Sequence, residues 1–161
     1  MKIFLIVIIV TFIVLFILKS MKGPVHSLNT LERPIKDLLK RGYDGGFLII
    51  DISYSRKFLQ LRKYIKSPGD YGIELAFPRA KWTVLTFDKL EKLCMESNFQ
   101  YSIVKEVVNG PLEFLYIDFG KDFSKAHQVV TKILLEVFDV NSDVKLFVRL
   151  ENATIEDELI S

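Results

Sequence analysis

Phe47-Leu48-Ile49-Ile50-Asp51-Ile52-Ser53, Lys57-Phe58-Leu59-Gln60-Leu61-Arg62-Lys63-Tyr64-Ile65 and Tyr71-Gly72-Ile73-Glu74-Leu75-Ala76-Phe77 follow one another with only short breaks. The first run is nearly continuous in Phe, Leu and Ile and reads as a strand. The second alternates, Leu59 and Leu61 against Gln60 and Arg62, which is the two-residue period of a strand, with a helix as the competing reading. Ser67-Pro68-Gly69-Asp70 is a turn, because Pro pre-sets φ and Gly tolerates positive φ. Pro78 ends the third run, since it has no N–H to give a ladder. Three strands in succession call for an antiparallel-rich sheet.

Upstream, Leu28, Leu31, Ile35, Leu38 and Leu39 recur at helical spacing. Pro34 sets the start of that helix near Arg33, or kinks it there. Gly42 closes it, and Gly45-Gly46 reads as a loop. Downstream, Phe87, Leu90, Leu93 and Cys94 share one helical face, with Thr83 or Thr86 as cap and an end near Asn98. Phe99 to Val108 and Leu112 to Phe119 read as strands, joined at Asn109-Gly110, a pair suited to a type I′ hairpin. Asp122 can cap a helix reaching about Phe138, with Ala126, Val129, Val130, Ile133 and Val137 on its apolar face. Val144, Leu146, Val148 and Leu150 then alternate as a last strand.

Far upstream, Ile3 to Leu18 is apolar except for Thr11 and holds no charge, Gly or Pro. As a helix it would cover roughly 24 Å, short against a hydrocarbon core of about 30 Å. Lys2 and Lys19 can snorkel to extend its reach. A cleavable signal peptide is the rival, but Ser20-Met21-Lys22-Gly23-Pro24 is not a small-x-small cleavage site. The run is therefore expected to be a single-pass anchor. Lys19, Lys22, Arg33, Lys36, Lys40 and Arg41 follow it, and this basic flank favours a cytoplasmic domain.

The expected fold is α+β: a membrane anchor (1–22), a linker (23–27), one compact domain (28–150) and an acidic tail (151–161). The domain order is α-βββ-α-ββ-α-β, with helices packed on one face of an antiparallel-rich sheet. A ferredoxin-like βαββαβ core starting at residue 71 is the alternative topology. The order α-βββ-α-ββ-α, with Gly46-Phe47-Leu48-Ile49-Ile50, Lys57-Phe58-Leu59-Gln60-Leu61 and Gly72-Ile73-Glu74-Leu75, resembles type III secretion chaperone-like domains, including relatives linked to toxin-immunity systems. That resemblance covers about residues 28–140. It implies a domain that binds another protein rather than one that performs chemistry.

The net charge is +2 over 161 residues. Lys2, Lys19 and Lys22 account for more than that, so the rest of the chain is not a polyanion binder by bulk charge. Cys94 is the only cysteine, which excludes an intramolecular disulfide and suits a reducing compartment. It falls among the apolar positions of a helix, where Cys behaves as a small hydrophobe. With two histidines, His26 and His127, and one cysteine, a zinc site has too few ligands. No metal or cofactor is expected.

Asp118-Phe119-Gly120 spells the kinase magnesium triplet, but the Gly-rich loop, strand lysine and HRD-type loop that give it meaning are missing. Gly45-Gly46 precedes a strand, whereas a phosphate loop follows one and opens a helix. Asp51, Glu74 and Asp118 lie on strands and could meet, yet acid–base work needs a set separation that a sequence does not give.

Arg56, Lys57, Arg62, Lys63 and Lys66 put five basic residues within 11 positions, interleaved with Phe58 and Tyr64. They are the candidate anion- or partner-binding patch. Lipid headgroups are the nearest anions for a tethered domain, at about 1 kcal/mol per basic residue. An acidic protein is the next candidate. Nucleic acid ranks last, because no RNA-binding signature accompanies the aromatics. The expected function is that of a membrane-anchored, non-enzymatic protein-interaction domain, chaperone-like or immunity-like. A peripheral anionic-lipid-binding or scaffold domain is the alternative, and a carboxylate-dependent enzyme comes last.

Overall fold

In the computed structural model, which describes residues 23–52, 57–107 and 111–154, the chain is α+β. Residues 1–22, with the expected anchor, lie outside the described residues, as do Asn109-Gly110 and residues 155–161. Among the described residues no helix is long and apolar enough to cross a membrane.

The elements are β1 (Val25–His26), a 3₁₀ turn (Leu28–Thr30), α1 (Glu32–Arg41), β2 (Gly42–Ile52), β3 (Phe58–Ser67), β4 (Asp70–Pro78), α2 (Val84–Glu96), β5 (Ser102–Val107), β6 (Pro111–Gly120), α3 (Phe123–Glu136) and β7 (Leu146–Ala153). From α1 onward the order is α-βββ-α-ββ-α-β. The stretch Lys57–Ile65, for which a helix competed, is a strand. Pro34 sits in the first turn of α1, where its missing N–H has no intrahelical partner to lose. The Asp122 side chain accepts from the Lys125 N–H at 2.8 Å and caps α3.

One seven-stranded antiparallel sheet carries the fold, in the order β1-β7-β2-β3-β4-β6-β5. β4, α2 and β5 form a split unit, with β6 lying between β4 and β5. The ferredoxin-like alternative from residue 71 needs β7 beside β4. Instead β7 pairs with β2, Leu48 opposite Leu150 and Ile50 opposite Val148. The β2–β3 hairpin fills the place between them, since its continuous apolar runs pair on both edges.

Alternation divides the sheet into two faces. Leu48, Ile50, Leu59, Leu61, Ile73, Leu75, Leu115, Ile117, Leu146 and Val148 are buried under the three helices. Against them pack Ile35 and Leu38 of α1, Phe87, Leu90 and Cys94 of α2, and Val130, Ile133 and Leu134 of α3. The opposite face carries Phe47, Ile49, Phe58, Gln60, Arg62, Tyr64, Ala76, Phe114 and Tyr116, and no helix among the described residues covers it.

Several expectations need revising in detail. Gly45-Gly46 is not a loop but part of β2, in an irregular stretch where the register against β7 shifts between Gly42 and Phe47. Gly45 has φ +72°, the positive value that a bulge asks of glycine. Val25 and His26, read as linker, pair with Phe147 and Leu146. β7 runs three residues past Leu150 to Ala153. Thr83 occupies the cap position of α2 without capping it. Its hydroxyl instead accepts from the Ala80 N–H at 2.7 Å and donates to the Pro78 carbonyl at 2.6 Å, fixing the chain between β4 and α2. That helix ends in a Schellman turn: Asn98 takes φ +54°, and the Phe99 N–H reaches the Cys94 carbonyl at 2.9 Å.

Gly72 lies at a close approach of β4 to β3 and β6. A Cβ there would stand 2.5 Å from the Tyr64 hydroxyl oxygen and 2.7 Å from the Gly120 Cα. Because backbone closes one side, Gly72→Ala is expected to cost about 1–3 kcal/mol, as overpacking does. Urea unfolding with a midpoint unchanged from wild type would contradict this.

Candidate functional site

β3 places its residues alternately on the two faces, and this decides the fate of the basic stretch. Arg56 lies outside the described residues. Lys57 points to the helix side, its Nζ 6.0 Å from the Phe138 ring centroid. Lys63 is buried among the helices and donates from Nζ to the Leu39 carbonyl at 2.7 Å, satisfying one of the orphan carbonyls that end α1. Burial holds its ammonium below the usual lysine range. Arg62 is on the open face, and Lys66 stands over the Tyr64 ring at 4.8 Å. Arg62 and Lys66 thus share a face that Lys57 and Lys63 do not, and the described members make no single patch.

What Arg62 does join is a polar centre on the open face. Its Nε and Nη2 both donate to Glu74 Oε1, at 2.8 and 2.5 Å. Its guanidinium carbon sits 5.5 Å from the centroid of the Tyr116 ring. The Tyr116 hydroxyl donates to Glu106, across the β5–β6 pairing. Glu74 and Asp118 are opposite one another on β4 and β6. Asp118 Oδ1 accepts from the Tyr64 hydroxyl at 2.9 Å and from the Gly120 N–H at 2.8 Å. Of the carboxylates singled out in the sequence, Glu74 and Asp118 are brought together, while Asp51 lies two strands away, paired with Arg149 at 3.5 Å. Glu106 and Tyr116 become visible as partners only once β5 is known to flank β6.

Two tyrosines carry the electrostatic signature of this centre. Burial first, then the hydrogen bond and charge of Asp118, pushes Tyr64 up to about 12. Burial, then the hydrogen bond and charge of Glu106, does the same for Tyr116, against the opposing pull of Arg62. A phenol whose folded pKa is raised stabilises fully below its unfolded value near 10 and loses that contribution as pH climbs toward about 12. Wild-type stability should therefore fall across that window. Tyr64→Phe and Tyr116→Phe should each flatten the fall, measured as urea midpoints from pH 8 upward. Parallel curves for all three proteins would contradict the assignment.

Beside the polar centre the face is aromatic. Phe114 and Tyr116 stack with centroids 6.0 Å apart. Phe58 meets Trp82, also at 6.0 Å. Trp82 is 63% exposed and Leu85, just beyond it at the start of α2, is 81% exposed. Ile103 and Val104 are exposed on β5, the last strand of the sheet. A hollow of about 500 Å³ opens over Arg62, Glu74, Tyr101, Glu106, Tyr116 and Asp118. A smaller one of about 190 Å³ adjoins it, walled by Phe58, Ala76, Trp82 and Phe114 and sharing Arg62, Glu106 and Tyr116 with the first. A larger hollow, about 870 Å³, lies elsewhere, between α1 and β7. Pro34, Asp37, Arg41, Arg149 and Thr154 are among the residues that line it.

The cysteine and the histidine of the helices lie away from the open face. Cys94 is buried in α2, its thiol pushed up to about 11 by burial and by the nearby Glu91. His127 binds the Leu28 carbonyl through Nε2 at 2.8 Å, tying α3 to the 3₁₀ turn. Asp118-Phe119-Gly120 ends β6, with Phe119 in the core and Gly120 at φ +55° leading into α3. Among the described residues no group of three His, Cys, Asp or Glu is placed to hold a metal.

No protein-family model, no curated protein and no solved structure matches the chain.

Proposed function

We propose that the chain is a membrane-anchored, non-enzymatic protein-interaction domain, a chaperone-like or immunity-like binder of a specific partner, and that it engages this partner through the open face of its sheet. The observation that carries the proposal is the sheet face that no helix among the described residues covers. A sheet whose second face is solvated is ordinarily polar there. This one carries Phe58 and Phe114, with the exposed Trp82 against Phe58. Tyr, Trp and Phe are the side chains enriched at the centres of protein interfaces. The apolar run Ile3 to Leu18 supports tethering, and its basic flank supports a cytoplasmic domain. An anionic lipid surface is supported less, because Lys63 is buried and Arg62 is held by Glu74.

The test is co-purification of full-length tagged protein from its native cells, wild type against a Trp82→Ala/Phe114→Ala double variant. A stoichiometric protein partner recovered with wild type and lost with the variant is the expected result. A partner retained equally by both would refute the face as the binding surface.

A further inference from the structure

The open face also has a charge, and it is opposite in sign to what the basic stretch leads one to expect. The hollow of about 500 Å³ is lined by one cation, Arg62, and three carboxylates, Glu74, Glu106 and Asp118. Arg62 is committed to Glu74 through both of its hydrogen bonds. Glu106 and Asp118 are answered by tyrosine hydroxyls and, for Asp118, a backbone N–H. These donors hold the carboxylates in place, and with Arg62 as the one cation among its lining residues the hollow keeps an excess of negative charge. Glu106 stands where the acidic hollow meets the aromatic one walled by Phe58, Trp82 and Phe114.

We propose that the open face takes a basic segment of a partner polypeptide, with a Lys or Arg side chain reaching Glu106 and apolar neighbours seated on Phe114 and Trp82. This rests on reading the face as the binding surface and adds the chemistry of what it binds. The two hollows share a wall, so one long cationic side chain can use both. Its aliphatic stem lies along Phe114 and Trp82 while its charged head reaches Glu106. The aromatic faces add cation–π attraction, strongest at Trp and Tyr. A guanidinium is the better fit, because its planar fork can bind a carboxylate through two bonds. An acidic partner or an anionic membrane meets an excess of carboxylates over cations in this hollow and is disfavoured.

The experiment is selection of a random 12-residue peptide library, displayed on phage, against full-length protein. Enriched peptides are then tested against Glu106→Gln and Trp82→Ala. Both variants keep the fold within reach: Gln still accepts from Tyr116, and Trp82 is exposed. Enrichment of peptides that carry Lys or Arg next to aliphatic or aromatic residues, with binding at least tenfold weaker to each variant and weakened by salt, is the expected result. Peptides without basic residues that lose binding only to Trp82→Ala would overturn the charge inference while leaving the face as a docking surface. Enriched peptides indifferent to both variants, or no enrichment, would overturn both.

Discussion

Phe87→Ala is expected to lower folding stability by about 3–5 kcal/mol, the range for emptying a buried aromatic site. Phe87 is fully buried on α2, with the Phe77 ring 6.5 Å away and the Arg79 guanidinium stacked 4.6 Å from its centroid. Arg79 in turn reaches Asp88 on α2 at 2.5 Å and Glu113 on β6 at 3.5 Å, and its backbone N–H bonds the Glu113 carbonyl at 2.7 Å. Removing the ring therefore opens a cavity and withdraws the platform that orients the link between α2 and the β4–β6 pair. Guanidinium unfolding monitored by Trp82, the only tryptophan, reads this directly. A loss below 1 kcal/mol would mean that α2 does not pack on the sheet as described, since even smaller aliphatic truncations in cores usually cost about 2–5 kcal/mol.

The second large effect separates two neighbours. Lys63→Glu is expected to cost about 3–5 kcal/mol, because it buries an unpaired carboxylate against a carbonyl it cannot bond. In the wild type that carbonyl, on Leu39, is satisfied by Nζ, and the ammonium also lies 5.2 Å from the Tyr71 ring centroid. Arg62→Gln, one residue earlier, should stay within about 1 kcal/mol, the usual worth of a solvent-reaching ion pair. The Arg62 side chain is 43% exposed, whereas Lys63 as a residue is only 6% exposed. Equal effects from the two changes would contradict the strand alternation on which the division of faces rests. Thermal unfolding of the two variants side by side is the measurement.

That contrast also shows how much of the molecule could be read in advance. The antiparallel meander from Phe47 to Phe77 was legible because apolar continuity and alternation are local. The same alternation already sets Lys63 on the face of Leu59 and Leu61, away from Arg62. Grouping the five basic residues by sequence distance overlooked it. Gly45-Gly46 misled because two glycines look alike in a loop and in a bulged strand; only pairing with β7 tells them apart. Val25–His26 is too short for any periodicity, and its pairing comes from the far end of the chain. The interposed β2–β3 hairpin, which displaces the ferredoxin-like arrangement, is a matter of strand order and leaves no local trace. Glu74 and Asp118 could be picked out as strand carboxylates. Glu106, Tyr116 and Trp82 could not be grouped with them, because their meeting depends on β6 lying between β4 and β5.

The open face is the centre of the account. Its most direct test is site-specific photo-cross-linking in cells, with a photoreactive phenylalanine analogue placed at Phe114 on that face or at Leu135, 40% exposed on α3. A single discrete cross-linked protein from position 114, absent from position 135, is the expected result. Cross-links from position 135 alone, or the same products from both, would contradict it.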